Sequence, residues 1–209
     1  MTIAPETMIA FFSASVVLAL APGPDNIFVL TQSALHGRWS GIFVTLGLCT
    51  GLVGHTTAVA LGVAVIFKAS ALAFTVLKLA GAAYLLYLAW MSFAAGAAKP
   101  EKNSQPRLKG SHLYGRGIIM NLTNPKVSIF FLAFLPQFAD PAQGPVSLQI
   151  LMLGLIFISA TILIFGMIAL LAGAIGEWFA RSPKAQIWLN RLAGTVFAAL
   201  AVKLITTHR

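Results

Sequence analysis

Two charged residues follow prolines inside long apolar stretches of this sequence. Asp25 follows Pro24, and Lys126 follows Pro125. A proline removes a backbone donor and clashes with the preceding turn, so a helix breaks or kinks there. A charge within an apolar helix is costly and by default marks a functional site. Together the two positions place one carboxylate and one ammonium where two helices are interrupted.

Helix breaks of this kind can bind charged small molecules. The N-terminus of a half-helix attracts a carboxylate, and the C-terminus of a half-helix offers carbonyl oxygens to an ammonium. Two opposed breaks could therefore bind both poles of an amino-acid zwitterion, and broken helices at corresponding places in two halves of a chain are typical of a transporter's substrate site. The residues predicted to bind or translocate the substrate are Pro22, Gly23, Pro24, Asp25, Asn26, Asn121, Asn124, Pro125 and Lys126.

Several ionisable residues in the predicted helices allow more than one interpretation. Asp25 could bind a substrate ammonium, carry a proton or neutralise Lys126, and such a buried pair either holds two helices in register or opens as a gate when substrate binds. His55 is either a proton relay, because histidine titrates near neutrality, or a hydrogen-bonded packing residue. Lys78 either extends its charged end to the membrane interface or has a secondary functional role, because it aligns with Arg191.

The elements that position these residues are predicted to be membrane-spanning helices. The 209 residues are 58% hydrophobic and only 9% charged, with a mean hydropathy of +0.88, which is more apolar side chain than a soluble domain can bury. Apolar runs long enough to cross a bilayer, about 20 residues each, lie at 7–34, 41–66, 71–95, 115–138, 148–175 and 190–206. The sequence therefore predicts an all-α integral membrane protein with six transmembrane helices, of which the first and fourth are broken at the proline motifs.

The two halves of the sequence resemble each other. Leu46-Gly47-Leu48 in the second predicted helix matches Leu153-Gly154-Leu155 in the fifth, and Lys78-Leu79-Ala80-Gly81 matches Arg191-Leu192-Ala193-Gly194. We therefore predict a single membrane transporter domain over 1–209, made of repeat one at 1–96, a basic cytoplasmic loop at 97–113 and repeat two at 114–209. Because each repeat has three helices, the second copy is inverted in the membrane, as in many secondary transporters.

Positive charge in the connecting segments predicts the orientation. Nine lysines and arginines lie in the segments at 35–40, 96–116 and 176–191, against three on the opposite side. Because positively charged loops stay in the cytoplasm, these segments are predicted to be cytoplasmic and both termini to lie outside. The formal net charge of +9 is spread over short loops and does not follow one helix face, which argues against nucleic acid as a partner.

Other function classes lack their characteristic motifs. The sequence has no Gly-x4-Gly-Lys-Ser/Thr loop for ATP and no Ser-Lys, Ser-His or His-Glu-x2-His arrangement for hydrolysis, so we predict neither an enzyme nor a cofactor. Cys49 is the single cysteine, which leaves no disulfide and no redox pair. A divalent-metal site needs several ligands within the membrane, and only Asp25, His55 and Cys49 are candidates, so we predict no metal site.

The alternative to amino-acid export is export of another small solute or of a divalent metal cation.

The sequence resembles the LysE/RhtB family of bacterial amino-acid exporters, which includes lysine, arginine, threonine and homoserine efflux proteins. The resemblance is carried by Pro22-Gly23-Pro24, by Leu77-Lys78-x2-Gly81-Ala82-x-Tyr84-Leu85, and by Asn121-Leu122-x-Asn124-Pro125-Lys126 through Phe134-Leu135-Pro136-Gln137-Phe138. It assigns family roles to Pro22, Gly23, Pro24, Asn124, Pro125 and Lys126, whereas the roles of Asp25 and His55 rest on the physical argument alone.

This resemblance implies a multi-pass exporter embedded in the lipid of the bacterial plasma (inner) membrane. Such a protein moves amino acids or close derivatives out of the cytoplasm, uses the proton gradient and works as a homo-oligomer. The expected mechanism is alternating access, in which the two repeats rock about a site near the membrane midplane and a proton enters as substrate leaves.

Overall fold

The described part of the chain is helical. The computed structural model describes residues 3–21, 23–69, 71–96 and 108–206, and these contain eight α-helices and no strand. In chain order the helices are α1 (Pro5–Leu20), α2 (Pro24–His36), α3 (Arg38–Ala69), α4 (Ala71–Ala94), α5 (Gly110–Thr123), α6 (Pro125–Ile129), α7 (Val146–Arg181) and α8 (Pro183–Thr206). The all-α prediction is confirmed for these residues, and most of the predicted basic loop lies outside them.

Several of these helices have the length and composition of membrane spans. The segments Arg38–Gly62 of α3, Val146–Ala172 of α7 and Lys184–Thr206 of α8 are each long and apolar enough to cross a bilayer. Two bent pairs, α1 with α2 and α5 with the residues up to Phe138, raise the number to as many as five if each pair counts as one span. The chain is thus a multi-pass membrane protein. The predicted span at 71–95 corresponds to α4, and the total of six spans stays a prediction.

Large apolar side chains cover the outside of the helices. Ile9 is 67% exposed, Leu61 70%, Ile119 64% and Leu155 65%. In water, so much exposed apolar surface would drive association, whereas lipid tails solvate it at no cost. The exterior therefore matches a bilayer environment.

Both proline motifs interrupt their helices. α1 ends at Leu20, α2 begins at Pro24, and the axes of the two helices differ by 61°. α5 ends at Thr123, and the helical segment that begins at Pro125 runs at 51° to it. In both cases the proline is the first residue of the second half-helix, where its missing N–H is not needed and its ring fixes a helical φ. The two predicted breaks are confirmed.

The second half of the fourth predicted helix is irregular. α6 continues as a π-helical turn at Phe130–Phe134, in which the Leu135 N–H donates to the Phe130 carbonyl, and then as a 3₁₀ turn at Leu135–Phe138. Pro136 accounts for the change, because it has no N–H with which to continue the α-helical pattern. The sequence predicts a break in this helix only at the proline motif of Pro125, so these irregular turns were not expected.

The helices pack around α3 and α7. α3 contacts α5 and α7, α7 also contacts α1 and α2, and α4 pairs with α8. Two apolar clusters fill the interior. The phenylalanine cluster lies toward the chain termini and contains Phe11, Phe130, Phe131, Phe134, Phe138 and Phe157. The valine cluster lies toward the α2–α3 junction and contains Ala19, Val29, Val44, Leu48, Leu113, Ile164, Phe165 and Ala169.

α3 and α5 approach each other closely at two glycines. A side-chain carbon added at Gly47 would overlap the Tyr114 carbonyl oxygen, and one added at Gly117 would lie 2.5 Å from the Val44 carbonyl oxygen. Small residues allow such backbone contacts between membrane helices. This contact places α5, and with it the second break, against the middle of α3.

Replacing Gly47 with Ala is therefore expected to destabilise the folded protein. The obstacle is backbone, so α3 and α5 would have to separate, at a cost of about 2 kcal/mol. The midpoint of thermal unfolding in detergent should fall by roughly 6 °C. Gly62→Ala is the matched control, because it lies in the same helix and an added carbon there meets nothing within 4 Å. Equal midpoints for the two variants would contradict the close contact.

Candidate functional site

A small cavity with polar side chains lies where the two helix breaks meet. It is lined by Leu18, Ala19, Asp25, Leu52, Asn121, Lys126, Val127, Phe157, Thr161 and Phe165. Its volume is about 20 Å³, which is enough for roughly one water molecule and too small for an amino acid. Three of the predicted site residues, Asp25, Asn121 and Lys126, therefore share one cavity, which must enlarge before it can hold a substrate.

Lys126 joins the two breaks. It lies in the first turn of α6, and its Nζ donates to the carbonyl oxygens of Leu18, at 3.3 Å, and Ala21, at 3.1 Å. The last carbonyls of a helix have no partner within the helix, and a cation is favourable beside them. The carbonyl oxygens at the end of α1 are thus occupied by the ammonium of Lys126, a group of the protein itself. Two of its three N–H donors are used there, which leaves one for another acceptor.

Asp25 supplies the negative charge of the cavity. It lies in the first turn of α2 and is only 4% exposed. Its carboxylate interacts electrostatically with Lys126 and lies beside the side chains of Asn121 and Asn124. The two charged groups make no direct ion pair in the described part of the chain, and Asp25 Oδ1 is buried without a hydrogen-bond partner. A carboxylate with a free buried oxygen can bind a cation or a proton.

The asparagines divide between the helix ends and the cavity. Asn124 caps α6, because its Oδ1 accepts a hydrogen bond from the Lys126 backbone N–H at 3.0 Å. Asn26 Nδ2 donates to the Ala19 carbonyl and so ties α2 to the end of α1. Asn121 lines the cavity, and its Oδ1 has no hydrogen-bond partner. Two of the three predicted asparagines therefore shape the breaks, and one faces the cavity.

Gly23 makes room for the Lys126 side chain. It precedes α2 with a φ of −172°, an extended conformation that any residue adopts. A side-chain carbon added at Gly23 would lie 3.1 Å from Lys126 Nζ. The sequence predicts that Gly23 belongs to the substrate site. The structure shows that the group lying against it is the Lys126 ammonium.

The remaining predicted residues lie outside the cavity lining. His55 Nε2 is 3.2 Å from the Asn121 carbonyl oxygen, and because a carbonyl only accepts, the ring donates this hydrogen bond. The ring also packs against Phe131, with 5.6 Å between the ring centres, which fits the packing interpretation. Lys78 lies on α4 and is not among the cavity-lining residues, and Pro22 lies outside the described residues.

The wall that α7 contributes to the cavity was not predicted from the sequence. Phe157, Thr161 and Phe165 are four residues apart, so they share one face of the helix, and all three line the cavity. Thr161 is 3% exposed and supplies a hydroxyl to this wall. The available signal was a polar residue within an otherwise apolar helix. That signal could not separate Thr161 from Ser159, which is exposed on another face of α7.

A metal-binding constellation is not found in the part of the chain that the structure describes. No group of three or more histidine, cysteine, aspartate or glutamate side chains there is placed to hold a metal ion. Cys49 is a buried free cysteine on α3, and His55 is engaged with the Asn121 carbonyl. The geometry therefore gives no support to the divalent-metal alternative.

Comparisons with known proteins bear on the whole length of the chain. The family described as LysE type translocator matches residues 16–208. A homoserine/homoserine lactone efflux protein of Salmonella typhimurium is 37% identical over 204 residues, which cover 97% of this chain and 98% of that protein. An uncharacterized membrane protein of Vibrio cholerae is 32% identical over 199 residues, 95% of this chain and 96% of that protein. Another from Pseudomonas aeruginosa is 30% identical over 197 residues, 91% of each. No solved structure matches the chain.

Proposed function

The chain belongs to the LysE type translocator family, and on that premise we propose that it is a secondary transporter that exports amino acids or close derivatives from the cytoplasm. The resemblance carried by the proline motifs is confirmed by this match. The family is one of translocators, which is consistent with the expectation that the chain is not an enzyme. The efflux of homoserine and its lactone named for the Salmonella relative makes homoserine-like amino acids the first substrates to test.

The observation that carries this proposal is a carboxylate and an ammonium facing one cavity at the meeting of two helix breaks. A zwitterion's carboxylate would take the remaining N–H donor of Lys126, and its ammonium would bind the free oxygen of Asp25. Asn121 and Thr161 add uncharged polar groups to the same cavity. The apolar side chains of the lining would contact the substrate side chain.

The packing supports alternating access by two inverted repeats. The cavity touches both apolar clusters, because its lining includes Phe157 of the phenylalanine cluster and Phe165 of the valine cluster. Each cluster can close the cavity toward one side of the membrane. The main helix contacts also correspond between the two halves. α3 of the first half packs on α5, the first helix of the second half, and α7 of the second half packs on α1, the first helix of the first half. The corresponding helices α3 and α7 contact each other, and so do α4 and α8. A twofold relation between the halves would produce this pattern.

Proton antiport is proposed on the basis of Asp25. A buried carboxylate beside a cation is stable as an anion when the cation is close and takes up a proton when that interaction weakens. The ammonium of a bound substrate would occupy the same free oxygen of Asp25 as a proton, so substrate and proton would compete for one site. His55, one hydrogen bond away from Asn121, remains a secondary candidate for proton relay.

The proposed setting is the bacterial inner membrane. Both termini lie outside, and the segments at 35–40, 96–116 and 176–191 lie in the cytoplasm, on the argument from positive charge. In this orientation the valine cluster is the cytoplasmic gate and the phenylalanine cluster the outer one. The family resemblance also supports a homo-oligomer.

An efflux assay tests the proposed function. Cells that overproduce the protein are preloaded with a panel of labelled amino acids that includes homoserine, and loss of each compound is followed with and without a protonophore. We expect selective loss of one or a few amino acids relative to cells with an empty vector, and we expect the protonophore to abolish the difference. If no amino acid in the panel is lost faster than in control cells, amino-acid export is wrong.

Replacing Gly23 with Ala should slow export while leaving the fold intact. The added carbon would lie 3.1 Å from Lys126 Nζ, so the ammonium must shift and its hydrogen bonds to α1 weaken. A loss of about 1 kcal/mol in this contact corresponds to roughly fivefold slower export. Gly166→Ala is the control, because an added carbon at that position of α7 meets nothing within 4 Å. Wild-type export by Gly23→Ala would show that the position of the ammonium is not critical.

A further inference from the structure

Six buried side-chain polar atoms in the described part of the chain have no hydrogen-bond partner, and all lie on the broken helices. Four belong to α2 and two flank the second break: Asp25 Oδ1, Asn26 Oδ1, Gln32 Oε1, His36 Nε2, Asn121 Oδ1 and Asn124 Nδ2. Buried polar atoms are nearly always paired, and an unpaired one is destabilising. Gln32 and His36 are distant from the cavity along α2, so the cavity does not account for them.

Three of the four unpaired atoms on α2, those of Asp25, Gln32 and His36, follow one face of the helix. Asp25, Val29, Gln32 and His36 recur at intervals of three and four residues and therefore lie on the same side. Asp25 is 4% exposed, Val29 0% and Gln32 1%. At about 1.5 Å per residue this face runs roughly 16 Å, from the cavity to the C-terminal end of α2.

The middle of this face, at Val29, is packed against apolar side chains. Val29 belongs to the valine cluster together with Val44, Leu113 and Phe165 from α3, α5 and α7. An amide at position 32 is a poor choice for packing in such surroundings, because leucine would fill a similar volume without an unpaired oxygen. The neighbouring Ser33 shows the usual solution, since its hydroxyl donates to the Val29 carbonyl at 2.7 Å.

On the transport function proposed above, we propose that the α2 face with Asp25, Gln32 and His36 lines the path from the cytoplasm to the cavity, and that Gln32 contacts the solute on this path. In the packed state the valine cluster closes the path. When α2 separates from its neighbours, water reaches the Gln32 amide, which can donate to a carboxylate or accept from an ammonium. The unpaired Gln32 oxygen destabilises the closed state, but in the open state the same amide binds the solute.

Cysteine labelling tests this path without knowledge of the substrate. Gln32→Cys is made in a Cys49→Ala background, and membrane vesicles are treated with a membrane-impermeant trimethylammonium methanethiosulfonate. Thiols react as thiolates, which form in water and not in lipid. The control is Ile27→Cys, on the side of α2 facing away from this path and 55% exposed. In inside-out vesicles we expect Gln32→Cys to react at least about tenfold faster than Ile27→Cys.

Two labelling outcomes would overturn the proposal. One is a reaction at Gln32→Cys no faster than at Ile27→Cys. The other is a faster reaction in right-side-out than in inside-out vesicles, because the path would then open to the opposite side. Both outcomes are independent of the efflux panel. A failure of amino-acid export and a failure of the access path are therefore distinguishable.

Gln32→Leu separates a path residue from a packing residue. Leucine has a similar size and removes the unpaired amide oxygen, so the thermal midpoint in detergent should equal or exceed that of the wild type. Export of the amino acid identified in the panel should fall by about fivefold or more, because a polar contact with the solute is lost. Ser33→Ala, on the neighbouring residue, should export normally. A lower midpoint together with unchanged export would identify Gln32 as a packing residue and overturn its role in the path.

Discussion

Replacing Asp25 with Asn is expected to abolish gradient-driven export while the protein remains folded in the membrane. The two side chains have the same shape, but the amide can neither carry a proton nor attract a substrate ammonium. Removing a buried charge interaction of about 3 kcal/mol corresponds to an export rate at least roughly 100-fold lower. The measurement is efflux of the identified amino acid, normalised to the amount of protein in the membrane fraction.

A second carboxylate-to-amide variant tests whether the loss of one negative charge at any position impairs export. Glu6→Gln makes the same chemical change at an exposed position in the first turn of α1 and should export at the wild-type rate. Persistence of wild-type export in Asp25→Asn would exclude a coupling role for Asp25. Export that is reduced but no longer sensitive to the protonophore would assign Asp25 to proton coupling and not to substrate binding.

Replacing Lys126 with Ala is expected to impair both folding and export. The change removes the donor that satisfies the Leu18 and Ala21 carbonyls, and lipid offers them no replacement. It also leaves Asp25 without its positive neighbour. A loss of at least about 3 kcal/mol is expected, which would lower the thermal midpoint in detergent by roughly 10 °C. Lys184→Ala, at an exposed position near the start of α8, should leave the midpoint unchanged.

The double variant Asp25→Asn with Lys126→Ala decides between a gate and a structural pair. If the two charges serve only to neutralise each other, removing both should restore normal export. We expect no restoration, because the lysine also holds the end of α1 and the carboxylate is proposed to bind substrate. Recovery of export in the double variant would assign the pair to structure alone.

Much of the helical architecture was predictable from local properties of the sequence. The six predicted apolar runs begin and end within a few residues of the observed helices in most cases, because apolar composition is a property of each segment by itself. The breaks at Pro24 and Pro125 were predictable for a related reason, since the missing N–H acts on its own helix. The π-helical turn at Phe130–Phe134 was not predicted, because hydropathy does not distinguish a widened turn from a regular one.

The sequence by itself determined that this is a helical membrane protein, where two of its helices break and which charged side chains lie beside the breaks. Only the tertiary structure decided the partner of each polar group. Lys126 bonds to carbonyls 105 and 108 residues earlier in the chain, Asn26 and Asn124 support the helix ends, and the Gln32 amide oxygen is left without a partner. These outcomes depend on how helices distant in sequence pack together, and no local pattern of residue types encodes that packing.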